Sequence, residues 1–105
     1  MDQATVNTII WFLESCLKEE GLQNISIAVF GSALIDTMNP DSDIDLIIIS
    51  PDFEGKNIQA RGKMTMISEI KTLRKFMVPM DVINLTPEEY KALVRRNMFP
   101  SQVVA

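Results

Sequence analysis

The chain has 105 residues, of which 47% are hydrophobic and 23% charged, so we expect one folded domain over residues 1–105. It contains no histidine and one cysteine, which excludes Ser-His-Asp and Cys-His catalysis in their usual forms and ordinary zinc sites. The net charge of −4 argues against stable binding to nucleic acid, because a phosphate backbone needs clustered cations.

The location expected from the sequence is the cytoplasm. No apolar segment approaches the ~20 residues of a membrane span, so we expect no membrane association. The first ten residues lack the positive start of a signal peptide, and Cys16 cannot form an internal disulfide. These features favour a reducing compartment.

Apolar residues recur at helical spacing near the start of the chain, at Val6, Ile9, Ile10, Leu13, Cys16 and Leu17. This spacing predicts a helix from about Gln3 to Glu20, and Gly21 is its expected stop because glycine readily ends a helix. We expect Trp11 and the seven methionines to fill the core.

Two runs rich in Ile and Val follow, 25–30 and 44–49, and such runs are typical of buried β-strands. Between them we expect a turn or short helix from Ser32, then a loop over 38–42. Pro and Gly punctuate the segment 50–62, which predicts a loop there.

The second half of the chain predicts two helices around a third strand. The first of these helices has apolar residues on one face, at Met64, Ile67, Ile70, Leu73 and Met77, and Pro79 breaks it. The run 80–85 reads as a strand, and Thr86-Pro87-Glu88-Glu89 predicts a capped helix start. We expect this last helix to end near Asn97, followed by a short tail over 98–105.

The order of these elements predicts an α/β (α+β) fold, a small mixed β-sheet with helices packed on it. Within that order, the segment from Gly31 to Asp45 holds the main candidates for chemistry. Gly31-Ser32 ends the first strand, and Asp43-Ile44-Asp45 begins the second after ten further residues. Residues two apart on a strand share a face, so Asp43 and Asp45 project together.

Paired carboxylates of this kind predict a metal site next to a phosphate site. Two adjacent carboxylates repel each other unless a cation lies between them, and Mg²⁺ is bound by one or two carboxylates together with substrate phosphates. Gly31 lets backbone approach a ligand, and the hydroxyl of Ser32 and free amides at a helix start can hold phosphate. Ser32 could equally cap the short helix. This is the layout of a nucleotidyl-transfer site.

Asp81 is the third candidate carboxylate, because an acidic residue in a buried strand is rare without a partner. If the third strand lies beside the second, Asp81 meets Asp43 and Asp45; alternatively it protects a sheet edge from aggregation. Alternatively, Asp43 and Asp45 could simply cap a turn and face the solvent. A calcium loop is excluded, because Leu46 and Asp52 stand where that loop requires Gly and Glu.

Three cations flank the second loop and could neutralise a triphosphate: Lys56, Arg61 and Lys63. Arg61 is the best candidate for binding nucleotide. Each of the three could instead be a solvated surface charge.

These motifs resemble the nucleotidyltransferase (DNA polymerase β-like) superfamily, and within it the minimal nucleotidyltransferases. The resemblance rests on an apolar strand ending in Gly31-Ser32, ten residues, Asp43-x-Asp45, and Asp81 on a later strand, and it covers nearly the whole chain. It implies a palm-like fold. One departure is Ile35, which stands where many relatives have Arg in a Gly-Ser-x-Ala-Arg-Gly motif.

The resemblance implies an enzyme that transfers a nucleoside monophosphate from an NTP, ATP above all, to an acceptor hydroxyl. Two Mg²⁺ ions would be held by Asp43, Asp45 and Asp81, and Asp81 could take the acceptor's proton. Stand-alone relatives pair with a small helical HEPN protein as antitoxin and toxin, so the expected partners are NTP and a HEPN-type protein in a homo- or hetero-oligomer. The alternatives are a non-catalytic module that neutralises a partner by binding, favoured by Ile35, and transfer to a small molecule.

Overall fold

The structure of the protein is a computed structural model that describes residues 2–30, 43–96 and 101–105. Within these residues the fold consists of three α-helices and a four-stranded mixed sheet, which confirms the predicted α/β class. In chain order the elements are α1 (Gln3–Glu19), β1 (Ser26–Phe30), β2 (Ile44–Ile49), a 3-10 turn (Pro51–Phe53), α2 (Ile58–Phe76), β3 (Met80–Leu85), α3 (Pro87–Arg95) and β4 (Ser101–Val103). None of the described helices is long and apolar enough to cross a membrane.

The sheet has the strand order β3-β2-β1-β4. β1 pairs antiparallel with β2 and with β4, whereas β2 and β3 run parallel, from Ile44 opposite Met80 to Ile49 opposite Leu85. A parallel pair needs a crossover, and α2 supplies it. The first residues of β2 and β3 therefore lie side by side, at the end of the sheet where both strands begin.

Side chains alternate between the two faces of the sheet. The face called here the α1/α2 face carries the larger core, in which Ile27, Leu46 and Ile48 pack with residues of α1 and α2. The opposite face, called the α3 face, carries a smaller core that includes Ala28, Ile47, Ile49, Leu85, Tyr90 and Leu93. Two helices thus cover one face, and α3 covers part of the other.

The predictions for α1 and for the start of α3 are confirmed. All six apolar residues named for α1 are buried, and Gly21 follows the helix with a φ of +100° that favours glycine. The Thr86 hydroxyl accepts from the Glu89 amide, while the Glu89 carboxylate accepts from the Thr86 amide, which completes the predicted capping box. α3 is shorter than expected, because it ends at Arg95.

The prediction of a loop over 50–62 is wrong for residues 58–62, which belong to a helix. Pro51–Phe53 forms a 3-10 turn, and α2 begins at Ile58 with Asn57 as its N-cap, whose side chain accepts from the Ala60 amide at 2.8 Å. Gly62 therefore lies inside the helix. A capping asparagine satisfies an otherwise unpaired amide, and this local gain outweighs the lower helix propensity of one glycine.

The prediction of only a short tail over 98–105 is also wrong for its end. Ser101–Val103 forms β4, which pairs antiparallel with β1, and the Val104 amide donates to the Ile27 carbonyl at 2.8 Å. Without β4 the outer edge of β1 would leave backbone polar groups unpaired. The tail satisfies them.

The helix α2 is confirmed, but its apolar stripe is not its buried face. Thr65, Ser68 and Thr72 are buried, whereas Ile70 is 41% exposed and Leu73 is 42% exposed. The Thr72 hydroxyl donates to the Ser68 carbonyl, so small polar residues can face the interior with this hydroxyl satisfied. Core filling by Trp11, Met66 and Met77 is likewise wrong, because all three are exposed.

Candidate active site

Two of the predicted carboxylates lie side by side at the end of the sheet where β2 and β3 begin. Asp45 and Asp81 are the second residues of their strands, and the parallel register places them directly opposite each other. Their neighbours Ile44 and Met80 pack on the α1/α2 face, so both aspartates project from the α3 face. This is the placement expected if the third strand adjoins the second.

The electrostatics of Asp45 show that the carboxylates interact. Burial raises the pKa of Asp45, and the negative charge of Asp81, a side-chain hydrogen bond with Asp81 and the charge of Asp43 raise that pKa further. Asp43 is exposed and directly precedes β2. Each of these effects disfavours the ionised form of Asp45, so a cation placed at the pair would be stabilised by the charges that now repel one another.

The residues present fit a divalent cation shared with a ligand. Across 2–30, 43–96 and 101–105, no group of three Cys, His, Asp or Glu side chains is arranged to hold a metal ion by itself. The pair Asp45 and Asp81 nevertheless supplies two carboxylates. Mg²⁺ commonly takes one or two protein carboxylates and completes its shell with water and substrate phosphates. The donor set therefore suits Mg²⁺ bound together with a nucleotide.

The predicted phosphate-binding residues Gly31 and Ser32, and the departure at Ile35, lie outside the described residues. What the structure describes is the residue that precedes them. Phe30 ends β1 directly opposite Asp45 in the antiparallel pair. The chain therefore leaves β1 beside the carboxylates.

Arg61 is not brought to the carboxylates. Its Nη1 donates to the Asn84 carbonyl at 3.0 Å and to Glu89 Oε1 at 2.7 Å, and its Nε donates to the Lys56 carbonyl at 2.8 Å. Asn84 lies three residues beyond Asp81, about 10 Å further along the strand at ~3.3 Å per residue. The side chain is only 12% exposed and joins α2, the end of β3 and α3. Nucleotide binding by Arg61 stays a prediction that this placement does not favour.

One neighbour of the carboxylates was not singled out from the sequence. Ile83 follows Asp81 by two residues on the same face of β3 and is 40% exposed. It extends the site with an apolar surface that a nucleobase or an apolar acceptor group could contact. Strand alternation alone could have found it.

Comparisons with known proteins agree with this geometry. The sequence profile of the nucleotidyltransferase domain matches residues 9–104. The fold is similar to that of a protein from Sulfolobus solfataricus assigned as a nucleotidyltransferase, with a TM-score of 0.65, 18% identity, and coverage of 86% of this chain and 75% of that chain. A second structure with the same assignment gives a TM-score of 0.53 at 25% identity, covering 87% and 91% of the two chains. No curated protein sequence matches the chain.

The family match spans most of the chain and includes β1, β2 and β3 with both paired carboxylates. Enzymes of this family transfer nucleotidyl groups, the EC 2.7.7 type of reaction. Sequence profile, fold and carboxylate placement lead to the same assignment: the chain belongs to the nucleotidyltransferase domain family.

Proposed function

We propose that the protein transfers a nucleoside monophosphate, AMP from ATP above all, to an acceptor hydroxyl in a reaction that depends on Mg²⁺. The observation that supports this most directly is the register of β2 and β3, which sets Asp45 opposite Asp81 on the α3 face. In such a transfer the acceptor oxygen forms a bond to the α-phosphorus, and the bond to the leaving pyrophosphate breaks.

The residues would divide the work by position. Asp45 and Asp81 would hold the cation, with the exposed Asp43 as a further carboxylate beside them. Bound Mg²⁺ would neutralise phosphate charge and lower the pKa of the acceptor hydroxyl. Asp81 would accept the hydroxyl's proton, since the chain has no histidine for that role. Gly31 and Ser32 would hold the terminal phosphates, as the sequence motif suggests.

The acceptor we propose is a side chain of a partner protein, which makes the protein an antitoxin-like component acting in the cytoplasm on a HEPN-type partner. Two features support a protein acceptor over nucleic acid. The net charge of −4 leaves few cations to follow a phosphate backbone. In addition, the exposed Ile83 beside Asp81 offers an apolar contact rather than a charged one.

The test is transfer of label from ATP that carries it in the α-phosphate. The protein is incubated with this ATP, Mg²⁺ and the product of the neighbouring gene, and with RNA or DNA ends in a parallel reaction. We expect label on the neighbouring protein, complete loss of labelling in Asp45→Asn, and normal labelling in the matched control Asp52→Asn, which follows the opposite end of β2. Label confined to nucleic-acid ends would refute the protein acceptor.

A binding module without transferase activity is the second candidate, and Ile35 in place of the usual Arg favours it. This candidate predicts tight binding to the partner with no label transferred by the wild-type protein. It also predicts that Asp45→Asn binds the partner as tightly as the wild type does. A calorimetric titration of the partner into both proteins measures this directly.

A further inference from the structure

A groove of about 940 Å³ runs between α2 and β3, and neither Asp45 nor Asp81 lines it. Apolar side chains form most of its wall, and its lining includes Ile58, Met66, Ile70, Leu73, Met80 and Val82. Ile58 is 86% exposed and Met66 is 52% exposed. We call this surface the α2–β3 groove. A contiguous apolar surface of this kind on a folded protein marks an interaction site.

The floor of the groove carries backbone groups that have no hydrogen-bond partner among the described residues. The Ile44 amide donates to the Pro79 carbonyl and the Ser50 amide donates to the Leu85 carbonyl, so the odd-numbered residues of β3 bond to β2. By strand alternation, Met80, Val82 and Asn84 direct their backbone groups outward. The Asn84 carbonyl accepts from Arg61, but no described residue hydrogen-bonds to the backbone of Met80 or Val82 at this edge.

We propose that the α2–β3 groove binds an extended segment of another protein, which adds as a fifth strand to β3. The segment carries apolar residues at alternate positions, facing Met66, Ile70 and Leu73, and acidic residues at its ends. This inference is independent of the transferase activity, because it uses neither Asp45 nor Asp81.

The unpaired edge favours a strand over a helix as the occupant. A strand pairs with the backbone of Met80 and Val82 while its side chains cover the apolar wall. A helix laid over the same groove would bury those backbone groups without partners, which is unfavourable. β3 also carries no Lys or Arg, and its one charged residue, Asp81, projects from the α3 face rather than from the face that α2 covers.

The charge of α2 predicts the acidic ends. This helix holds five of the ten cationic residues of the chain and one of its fourteen acidic residues, so its net charge is +4 although the chain has −4. The charged residues that line the groove are Arg61, Lys63, Glu69 and Glu89, and Arg61 forms an ion pair with Glu89. Lys63 is exposed there, and Arg74 is exposed next to Leu73, just outside the lining. These two residues are about 16 Å apart at ~1.5 Å per residue of helix, a distance that about five residues of extended chain span.

A second copy of the chain fits the groove poorly. Antiparallel pairing of β3 with its symmetry mate would set two α2 helices of net charge +4 side by side. The exposed apolar area is also limited, because Ile70, Leu73 and Ile83 are only 41%, 42% and 40% exposed, whereas a standard interface buries ~800 Å² per partner. A single segment matches this area better.

The test uses labelled seven-residue peptides and fluorescence anisotropy. The probe is Glu-Thr-Ile-Thr-Ile-Thr-Glu, which places Glu and Ile on one face of a strand. We expect saturable binding below about 1 mM, with affinity at least tenfold lower when both Glu are replaced by Lys. Replacing the central Thr by Pro removes an amide and should lower the affinity by a similar factor. In NMR, the Val82 amide should gain protection from hydrogen exchange on binding.

Two isoleucines of α2 provide a matched pair of variants. Ile70 lines the groove, whereas Ile67 is 47% exposed and does not line it. Ile70→Ser should weaken peptide binding at least fivefold, while Ile67→Ser and Asp45→Asn should change it less than twofold. The proposal would be overturned if the peptide did not bind, or if the Lys-ended peptide bound equally well. It would also be overturned if the free protein self-associated through this edge, or if residues 31–42 contacted Ile70 in the free protein.

Discussion

Replacing Arg61 by Ala should lower stability strongly and leave nucleotide affinity nearly unchanged. The guanidinium bonds to two backbone carbonyls and to the Glu89 carboxylate, and it lies 5.9 Å from the centroid of the Phe53 ring. Truncation to Ala removes all of these contacts together. The three segments that Arg61 joins, the loop before α2, the end of β3 and the start of α3, then lose their common link.

The size of the loss follows from the burial of each contact. Each bond from the guanidinium to a carbonyl contributes about 1 kcal/mol or slightly more, because a charged donor strengthens it. The ion pair contributes about 1 kcal/mol or less, because the Glu89 side chain is 45% exposed and solvent screens the pair. The sum is about 3 kcal/mol, and for a domain of this size that lowers Tm by roughly 10–20 °C.

Thermal unfolding of Arg61→Ala and Lys63→Ala measures this effect. Lys63 is two residues further along α2, is exposed, and has no hydrogen bond or ion pair to any described residue. Its removal should change stability by less than about 0.5 kcal/mol. ATP affinity with Mg²⁺, measured well below both melting temperatures, should differ less than threefold between the two variants. A tenfold loss of ATP affinity in Arg61→Ala with an unchanged Tm would refute the structural role.

The same pair predicts an acid dependence. The hydrogen bond from Arg61, followed by one from the Thr86 amide, lowers the pKa of Glu89. A carboxyl whose folded pKa is depressed stabilises the fold above its unfolded pKa, and this contribution is lost as pH falls through the folded pKa. Arg61→Ala removes the largest cause of the shift, so its stability should fall less steeply than that of the wild type on the acid side.

Three further predictions concern other parts of the molecule. At pH 7 without metal, Asp45→Asn should melt at the same or a higher temperature than the wild type, because the change removes a charge that neighbouring carboxylates repel. The variant should also lose the stabilisation that Mg²⁺ with ATP gives the wild type. A large drop in Tm would mean that Asp45 is a structural residue. Glu69→Gln should stabilise the fold at pH 7, because burial raises the pKa of Glu69 and folding then opposes its ionisation. The gain in stability should vanish below the unfolded pKa, grow between the unfolded and the folded pKa, and level off above the latter. A constant gain in melts from pH 4 to 8 would contradict this. Deleting residues 101–105 should lower the free energy of unfolding by about 2 kcal/mol, because backbone hydrogen bonds to β1 and the packing of Val104 are lost. An unchanged Tm would show that β4 is dispensable.

The convergence of Asp45 and Asp81 could be predicted from the sequence because it depends on short-range rules. Apolar runs located both strands, and period-two alternation fixed the face on which each aspartate projects. A helix between two strands favours a parallel pair, and parallel strands start at the same edge. Residues at the same position of two such strands then meet.

Arg61 and β4 could not be placed in this way, because their partners are distant in sequence. Arg61 bonds to Asn84, which is 23 residues away, and β4 pairs with β1 across most of the chain. A three-residue strand has no periodicity to read. The buried face of α2 was hidden for a different reason. Thr65 and Thr72 donate their hydroxyls to Glu69 and to the Ser68 carbonyl, so small polar residues occupy buried positions that hydrophobicity alone does not predict. The hydroxyl of Ser68 is buried without a hydrogen-bond partner among the described residues.

The two proposals meet at β3. A strand added to its outer edge would lie about 4.8 Å away and would show alternate side chains on the two faces of the sheet. Those on the α1/α2 face would contact Ile70 and Leu73, while those on the α3 face would lie beside Asp81 and the exposed Ile83. A partner that supplied such a strand would therefore bring its own hydroxyl-bearing side chains next to the paired carboxylates. Transfer uses Asp81 and the groove uses Met80 and Val82, while Ile83 borders both, so one extended segment can reach the two sites.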